Sequence, residues 1–412
     1  MNDGLDAGDR VTCTVGDTSL SGTYITDRAG MRVVKLDSGY NIGVSPERVR
    51  VTEHIPIALA PEQEVEQNPA LPELAIISTG GTIASRIDYR TGAVTSQFTA
   101  ADILRAIPGL SEIARYRTTV LATMLSENMT PSLWQTLARA VHDAIADGAR
   151  GVIVTHGTDT MAYSATAVSF MLSTPVPVVF VGSQRSADRP SSDNVMNAIS
   201  AAATAVSELG EVVVVMHEGP SDDRCAIHRA GRVRKLHTSR RDAFHSVEAD
   251  PIGFVSYPDR DVVLADEAVR RGARPLALDD RLDPHCGLLQ FYPGMDPAVL
   301  DAFAGYSGLV ISGTGLGHTS TACIPRIGAL IEGGTAVVMT SQCLYGRVCD
   351  RVYDTGRDLL ACGVIEGGTL LPEVALVKLM CVLGRTRKPG EVARVMQEDR
   401  VGEAPGRTPH GV

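Results

Sequence analysis

Lysine is nearly missing from this chain of 412 residues: it has only Lys35, Lys235, Lys378 and Lys388, so 34 of its 38 basic residues are arginines (38 − 4). Arginine thus supplies positive charge almost everywhere. A lysine differs from it because a desolvated ammonium can give up its proton. A lysine set among arginines is therefore a candidate for proton chemistry, and Lys235, in Arg232-Val233-Arg234-Lys235, occupies that position. Aromatics are also scarce, at 4% of residues, so cores drawn from the 44% hydrophobic content rest on Val, Ile, Leu and Ala. The eight cysteines include no CxxC pair and no metal-like Cys/His spacing. With no signal peptide, they read as reduced thiols of a cytoplasmic protein, and no metal is expected. No apolar run approaches the ~20 residues that span a bilayer, which predicts no membrane association. The net charge of −10 argues against broad binding to a phosphate backbone, though a local basic patch stays open. GxGxxG spacing and a Gly-Lys-Ser/Thr loop are both lacking, which disfavours a dinucleotide or ATP site.

What is present divides the chain into segments. Residues 1–55 hold short strands at Arg10 to Val15, Leu20 to Thr26, Met31 to Leu36, Tyr40 to Val44 and Val49 to Thr52, separated by turn residues. This predicts a small N-terminal β-barrel, too short to bury much core by itself. Residues 56–73, rich in Pro, Glu and Gln, read as a linker. From Leu74 the pattern becomes strand–loop–helix. Thr130 can cap a helix opened by Pro131, with Leu133, Trp134, Leu137, Val141 and Ile145 on one face and Gly148 at its end. Alternating strands and helices predict an α/β fold with a doubly wound, mostly parallel sheet over 74–265. An arginine- and aspartate-rich stretch weakens the pattern before a second α/β domain over 284–384. Residues 385–412 read as a polar, disordered tail. There is no internal repeat.

Two threonine loops follow apolar strands. Ser78-Thr79-Gly80-Gly81-Thr82 comes after Leu74-Ala75-Ile76-Ile77, and His156-Gly157-Thr158-Asp159-Thr160 comes after Gly151-Val152-Ile153-Val154-Thr155. In open α/β sheets ligands bind beyond the carboxyl ends of strands. If the two strands are neighbours, Thr82 and Thr158 face one pocket. Taken singly, each loop is as well explained by a threonine capping a helix. The coincidence of two such loops favours chemistry. A threonine hydroxyl is a poor nucleophile until a neighbour takes its proton, and Lys235, held by Asp159, is the candidate base. The alternative places Lys235 on a solvated basic face, because seven Lys/Arg residues fall between Arg224 and Arg241 with no acid among them. That run suits RNA or a partner protein equally well. Ser126-Glu127-Asn128 precedes the Pro131 helix and could hold the ends of an amino acid, or merely cap. Tyr89 could close over the pocket.

Thr79-Gly80-Gly81-Thr82-Ile83-Ala84 and His156-Gly157-Thr158-Asp159-Thr160 resemble the two signatures of the bacterial-type L-asparaginase family, over about Leu74 to Leu383. The resemblance implies two α/β domains and Thr82 as the nucleophile. It implies Thr158, Asp159 and Lys235 as a second catalytic set. Ser126 and Glu127 fall where that family binds substrate, Tyr89 falls on its lid, and Gly81 and Gly157 lie in loops whose backbone N–H groups would steady an oxyanion. Glu127 stands where many asparaginases have glutamine. The barrel, the basic stretch and three further segments resemble more narrowly the D-type subunits of archaeal-type glutamyl-tRNA(Gln) amidotransferases. These segments are Leu36-Asp37-Ser38-Gly39-Tyr40-Asn41-Ile42-Gly43, Thr238-Ser239-Arg240-Arg241-Asp242-Ala243-Phe244 and Pro372-Glu373-Val374-Ala375-Leu376-Val377-Lys378-Leu379-Met380. That resemblance implies a glutaminase-type amidohydrolase releasing ammonia, with no cofactor of its own and with ATP and Mg in a partner, the E-type subunit of the amidotransferase. Glu-tRNA(Gln) would be met mainly through that partner, and the resemblance to asparaginases implies a homodimeric core. A stand-alone cytosolic asparaginase is the rival expectation.

Overall fold

A computed structural model describes residues 5–28, 30–38, 40–55, 67–80, 86–87, 94–95, 100–185 and 191–404. These fall into two compact units, one within 1–66 and 84–101, the other within 67–83 and 102–412.

In the first unit, strands β1 (Arg10–Val15), β2 (Thr18–Arg28), β3 (Met31–Leu36), β4 (Asn41–Val44) and β5 (Val49–Glu53) form one antiparallel sheet in the order β4-β3-β2-β1-β5. Alternate residues turn inward, as a two-residue period requires. Val11, Cys13, Tyr24, Val34, Val44 and Val49 form a small core. The strands stand within two residues of their expected positions. Among the described residues no pairing of β4 with β5 closes the sheet into a barrel.

The second unit starts with β6 (Glu73–Gly80), β7 (Arg115–Met124), α1 (Pro131–Ala146), β8 (Gly151–Thr155), α2 (Met161–Met171), β9 (Val178–Val181), α3 (Asn194–Val206) and β10 (Val212–His217). Thr130 caps α1, its hydroxyl accepting from Leu133 N at 3.4 Å, and Trp134, Leu137, Val141 and Ile145 are buried along one face. Helix α2 is buried on nearly every side. The chain continues through β11 (Arg224–Arg229), the hairpin β12 (Val233–Lys235) and β13 (Phe244–Ser246), then β14 (Gly253–Ser256) and β15 (Val262–Leu264). The large sheet runs β15-β14-β11-β10-β9-β8-β6-β7. The pairings from β7 to β10 are parallel, and those joining β11, β14 and β15 are antiparallel. The antiparallel extension lies in the basic and arginine/aspartate-rich stretches, where alternation of apolar residues is weak.

Strands β16 (Cys286–Gln290), β17 (Gly308–Gly313), β18 (Ala336–Ser341) and β19 (Ile365–Glu366) form an all-parallel sheet, with α4 (Ile324–Glu332) and α5 (Asp354–Ala361) among the connections. Helix α6 (Pro372–Leu383) packs on both α2 and β17, which joins the cores of the two α/β layers. The expected disordered tail is corrected. Pro389–Gln397 is a helix, α7, with Val392 and Met396 buried one turn apart, and Glu403 beyond it is fully buried. Among the described residues no helix is long and apolar enough to cross a membrane.

Candidate active site

Strands β6 and β8 are parallel neighbours, with Ser78 opposite Thr155. From β6 the chain moves to β7 on one side, and β8 lies on the other. The carboxyl ends of β6 and β8 thus flank a point where strand order reverses, the crevice where open α/β sheets bind ligands. Both threonine loops leave from this edge, and the Thr79 hydroxyl ties them by donating to the Thr155 carbonyl at 3.1 Å. Gly81, Thr82 and Tyr89 lie outside the described residues.

Thr158 and Asp159 sit between the end of β8 and the start of α2. Lys235 ends β12, opposite the buried Phe244 of β13. Its Nζ donates to Thr158 Oγ1 at 2.9 Å and to Asp159 Oδ1 at 2.8 Å. The Lys235 side chain is 14% exposed and that of Asp159 is 67% exposed. The amine is thus largely withdrawn from water while its carboxylate partner stays hydrated. Three side chains separated by up to 77 positions therefore meet at one amine.

Ser126 is buried against Gly157. A Cβ on Gly157 would lie 2.7 Å from Ser126 Cβ, so only glycine permits this approach. Glu127, beside it, is exposed. Two residues that sequence reasoning did not single out complete the support. Thr160 Oγ1 donates to the Ser126 carbonyl at 2.7 Å, fixing the Ser126 loop to the start of α2. His156 is fully buried and its Nδ1–H donates to the Gly157 carbonyl at 2.7 Å. Burial pushes its pKa below the ordinary histidine value, so the ring serves as a neutral brace. Their only sequence signal was membership of the His156–Thr160 loop.

The basic run 224–241 is not an open cationic face. Arg224 pairs with Glu218, Arg229 with Glu211, Arg234 with Glu373, Lys235 with Asp159, Arg240 with Asp242 and Arg241 with Asp222. Arg232 is buried and donates to the carbonyls of Val247, Thr369 and Glu403. Every cation of the run thus has a partner within the chain, so its charge is largely neutralised even where, as at Arg224 and Arg240, the side chain stays exposed. Among the described residues no cluster of three or more His, Cys, Asp or Glu side chains is arranged to hold a metal ion.

Three family matches divide the chain: GatD N-terminal domain over residues 5–53, Asparaginase, N-terminal, over 73–270, and Glutaminase/Asparaginase C-terminal domain over 285–396. The glutamyl-tRNA(Gln) amidotransferase D subunit of Methanosarcina barkeri is 52% identical, the alignment covering 96% of this chain and 97% of that one. The protein of the same name from Halobacterium salinarum is 53% identical over 96% of this chain and 97% of its own length. Among solved structures, the thermostable L-asparaginase from Thermococcus kodakarensis superposes with a TM-score of 0.73 at 32% identity, covering 81% of this chain and 99% of that one.

Proposed function

This chain belongs to the GatD family of glutamyl-tRNA(Gln) amidotransferase subunits, and we propose that it is the ammonia-releasing component of such an enzyme, a glutaminase-type amidohydrolase that feeds the amidation of Glu-tRNA(Gln) to Gln-tRNA(Gln). The observation that carries the reading is the amine of Lys235 held between Thr158 Oγ1 and Asp159 Oδ1 at the reversal point of the sheet. Thr82 Oγ attacks the side-chain amide carbon of glutamine. Its proton passes toward the Lys235 amine, with Thr158 as relay and Asp159 holding that amine in place. Backbone N–H groups of the loops at Gly81 and Gly157 steady the oxyanion. The C–N bond breaks, the nitrogen takes a proton and leaves as ammonia, and water then cleaves the threonine ester to give glutamate. Ser126, Glu127 and Tyr89 hold the amino-acid end of the donor.

In this reading the chain needs no cofactor, and ATP and Mg act in the E-type partner, which activates Glu-tRNA(Gln) and receives the ammonia. The pairing of every cation in the 224–241 run supports a tRNA held mainly by that partner. A homodimeric core and a cytoplasmic location complete the proposal. The similarity to L-asparaginase structures favours a second reading, a stand-alone asparaginase. The match of residues 5–53 to the GatD N-terminal domain speaks against it. Ammonia release from glutamine and from asparagine, measured for the chain alone and then with the E-type partner and Glu-tRNA(Gln), separates the two. Weak glutamine turnover that rises severalfold in the complex is expected. Fast asparagine turnover by the chain alone, indifferent to the partner, would overturn the proposal.

A further inference from the structure

Lys235 sits at the end of a short hairpin. Strands β12 and β13 have three residues each and, among the described residues, form a two-stranded sheet apart from the large one, held to the body by Val233, Ala243, Phe244 and Val247 in the core and by Ser246 Oγ against His228 Nδ1 at 2.9 Å. A two-stranded hairpin has little stability of its own, so the core contacts of Val233 and Phe244 fix its body and the polar contacts on either side of them set where the amine at its end stands. One grip is Arg234, 3.4 Å from Glu373 at the start of α6. The other is Arg232 at the base of the hairpin, three residues before Lys235. Its Nε donates to the Val247 carbonyl at 2.8 Å, and its Nη1 donates to the Thr369 carbonyl at 2.9 Å and to the Glu403 carbonyl at 2.8 Å. A buried guanidinium anchored on carbonyls has few alternative positions, because moving it strands a charge away from its acceptors.

We propose that the C-terminal segment 398–404 is a positioning element for Lys235, acting through Arg232. The segment is itself locked. The Glu403 carboxylate pairs with Lys378 Nζ at 2.7 Å, both side chains being buried, and it accepts the backbone N–H groups of Arg400 and Val401. Lys378 also donates to the Met396 carbonyl at 3.0 Å, so the ion pair closes the end of α7 over α6. Gly402 has φ of +80° and lies so close to the strand before the hairpin that a Cβ there would meet Arg229 Cδ at 2.3 Å. Across the same contact, a Cβ on Gly231 would meet Glu403 Cβ at 2.7 Å. Side chains from α6, the tail and the turn at 229–232 thus form one continuous clamp behind the hairpin. Loosening it lets Lys235 drift from Thr158 and Asp159, while Ser126, Gly157 and Thr158 stay in place on other elements. A lesion in the clamp therefore lowers kcat and spares KM.

The effect on turnover rests on the amidohydrolase reading above, so the test includes a readout that does not. With only four lysines, [13Cε]lysine labelling of the full chain gives few enough NMR signals to assign by substitution. Glu403→Gln and Gly402→Ala are compared with the unaltered chain for glutamine hydrolysis and for these signals. The expected result is a kcat lower by tenfold or more, a KM within about twofold, and a displaced Lys235 signal with those of Lys35 and Lys388 unmoved. If Glu403→Gln does not fold, Gly402→Ala decides, because it wedges the contact without stranding a charge. Gly402→Ala with kcat within twofold of the unaltered chain and an unmoved Lys235 signal would overturn the clamp. If the unaltered chain shows no amide hydrolysis even with the E-type partner and Glu-tRNA(Gln), the proposed function falls, and the Lys235 signal alone decides the clamp.

Discussion

Replacing Lys235 with arginine separates charge from proton transfer. Arginine keeps a cation beside Asp159 but cannot act as a base. The ionic part of the contact is small in stability terms: Asp159 is 67% exposed, and pairs screened by water contribute only about 0–1 kcal/mol. The chain should therefore fold as before, with a melting temperature shifted by no more than a few degrees. The proton-transfer part is large. A positioned acid–base group contributes roughly 10²–10⁴-fold to rate, which at about 1.36 kcal/mol per tenfold is about 3–5 kcal/mol of barrier. Arginine is also longer and planar, so it cannot reproduce donation to Thr158 Oγ1 at 2.9 Å and Asp159 Oδ1 at 2.8 Å from one atom. Steady-state glutamine hydrolysis should show kcat reduced by at least a hundredfold with KM changed little. Lys235→Ala should recover part of its turnover when a small primary amine is added. A Lys235→Arg chain retaining a tenth or more of kcat would remove the amine from the mechanism.

Gly157→Ala places a methyl 2.7 Å from Ser126 Cβ and 2.9 Å from Ser126 Oγ. It should raise KM for the amide donor severalfold and lower the melting temperature, because forcing a methyl into this contact costs about 1–3 kcal/mol, and an unchanged KM would detach Ser126 from donor binding. Asp350 is fully buried, and among the described residues neither of its carboxylate oxygens has a hydrogen-bond partner. Burial, with Glu366 nearby, lifts its pKa from 3.8 to about 7. The folded group thus keeps its proton where the unfolded one has lost it, so its contribution to stability is complete below pH 3.8 and is lost as pH rises to about 7. Asp350→Asn escapes that loss, which at about 1.36 kcal/mol per unit is no more than about 4 kcal/mol. Urea unfolding at pH 5 and pH 8 should show a gain over the unaltered chain that is larger at pH 8, and a gain independent of pH would contradict the assignment.

The legible parts of the fold were those whose signals are local. Thr130-Pro131 with apolar residues at helical spacing located α1, and the run Gly151–Thr155 located β8, because caps and periodicity operate within a turn or two of chain. The Thr158 loop and Lys235 stood out by composition, and the structure brings them within hydrogen-bond distance. The hidden features depend on distant partners. The acids that neutralise the 224–241 run, Glu211, Glu373, Asp159 and Asp222 among them, lie on other elements, so the run looked unpaired. The burial of Glu403 was invisible for the same reason. The stretch 398–404 is polar apart from Val401 and Ala404, and the partners of Glu403, Lys378 and Arg232, lie 25 and 171 positions away (403 − 378; 403 − 232).

The sealing of Lys378 has a practical corollary for mapping assemblies. With that amine locked against Glu403 and Lys235 held by Thr158 and Asp159, the lysines left for acylating reagents are the half-buried Lys35 and the exposed Lys388. One belongs to each compact unit. An amine-to-amine crosslinker would therefore act as a molecular ruler between the two units, with almost no competing attachment points.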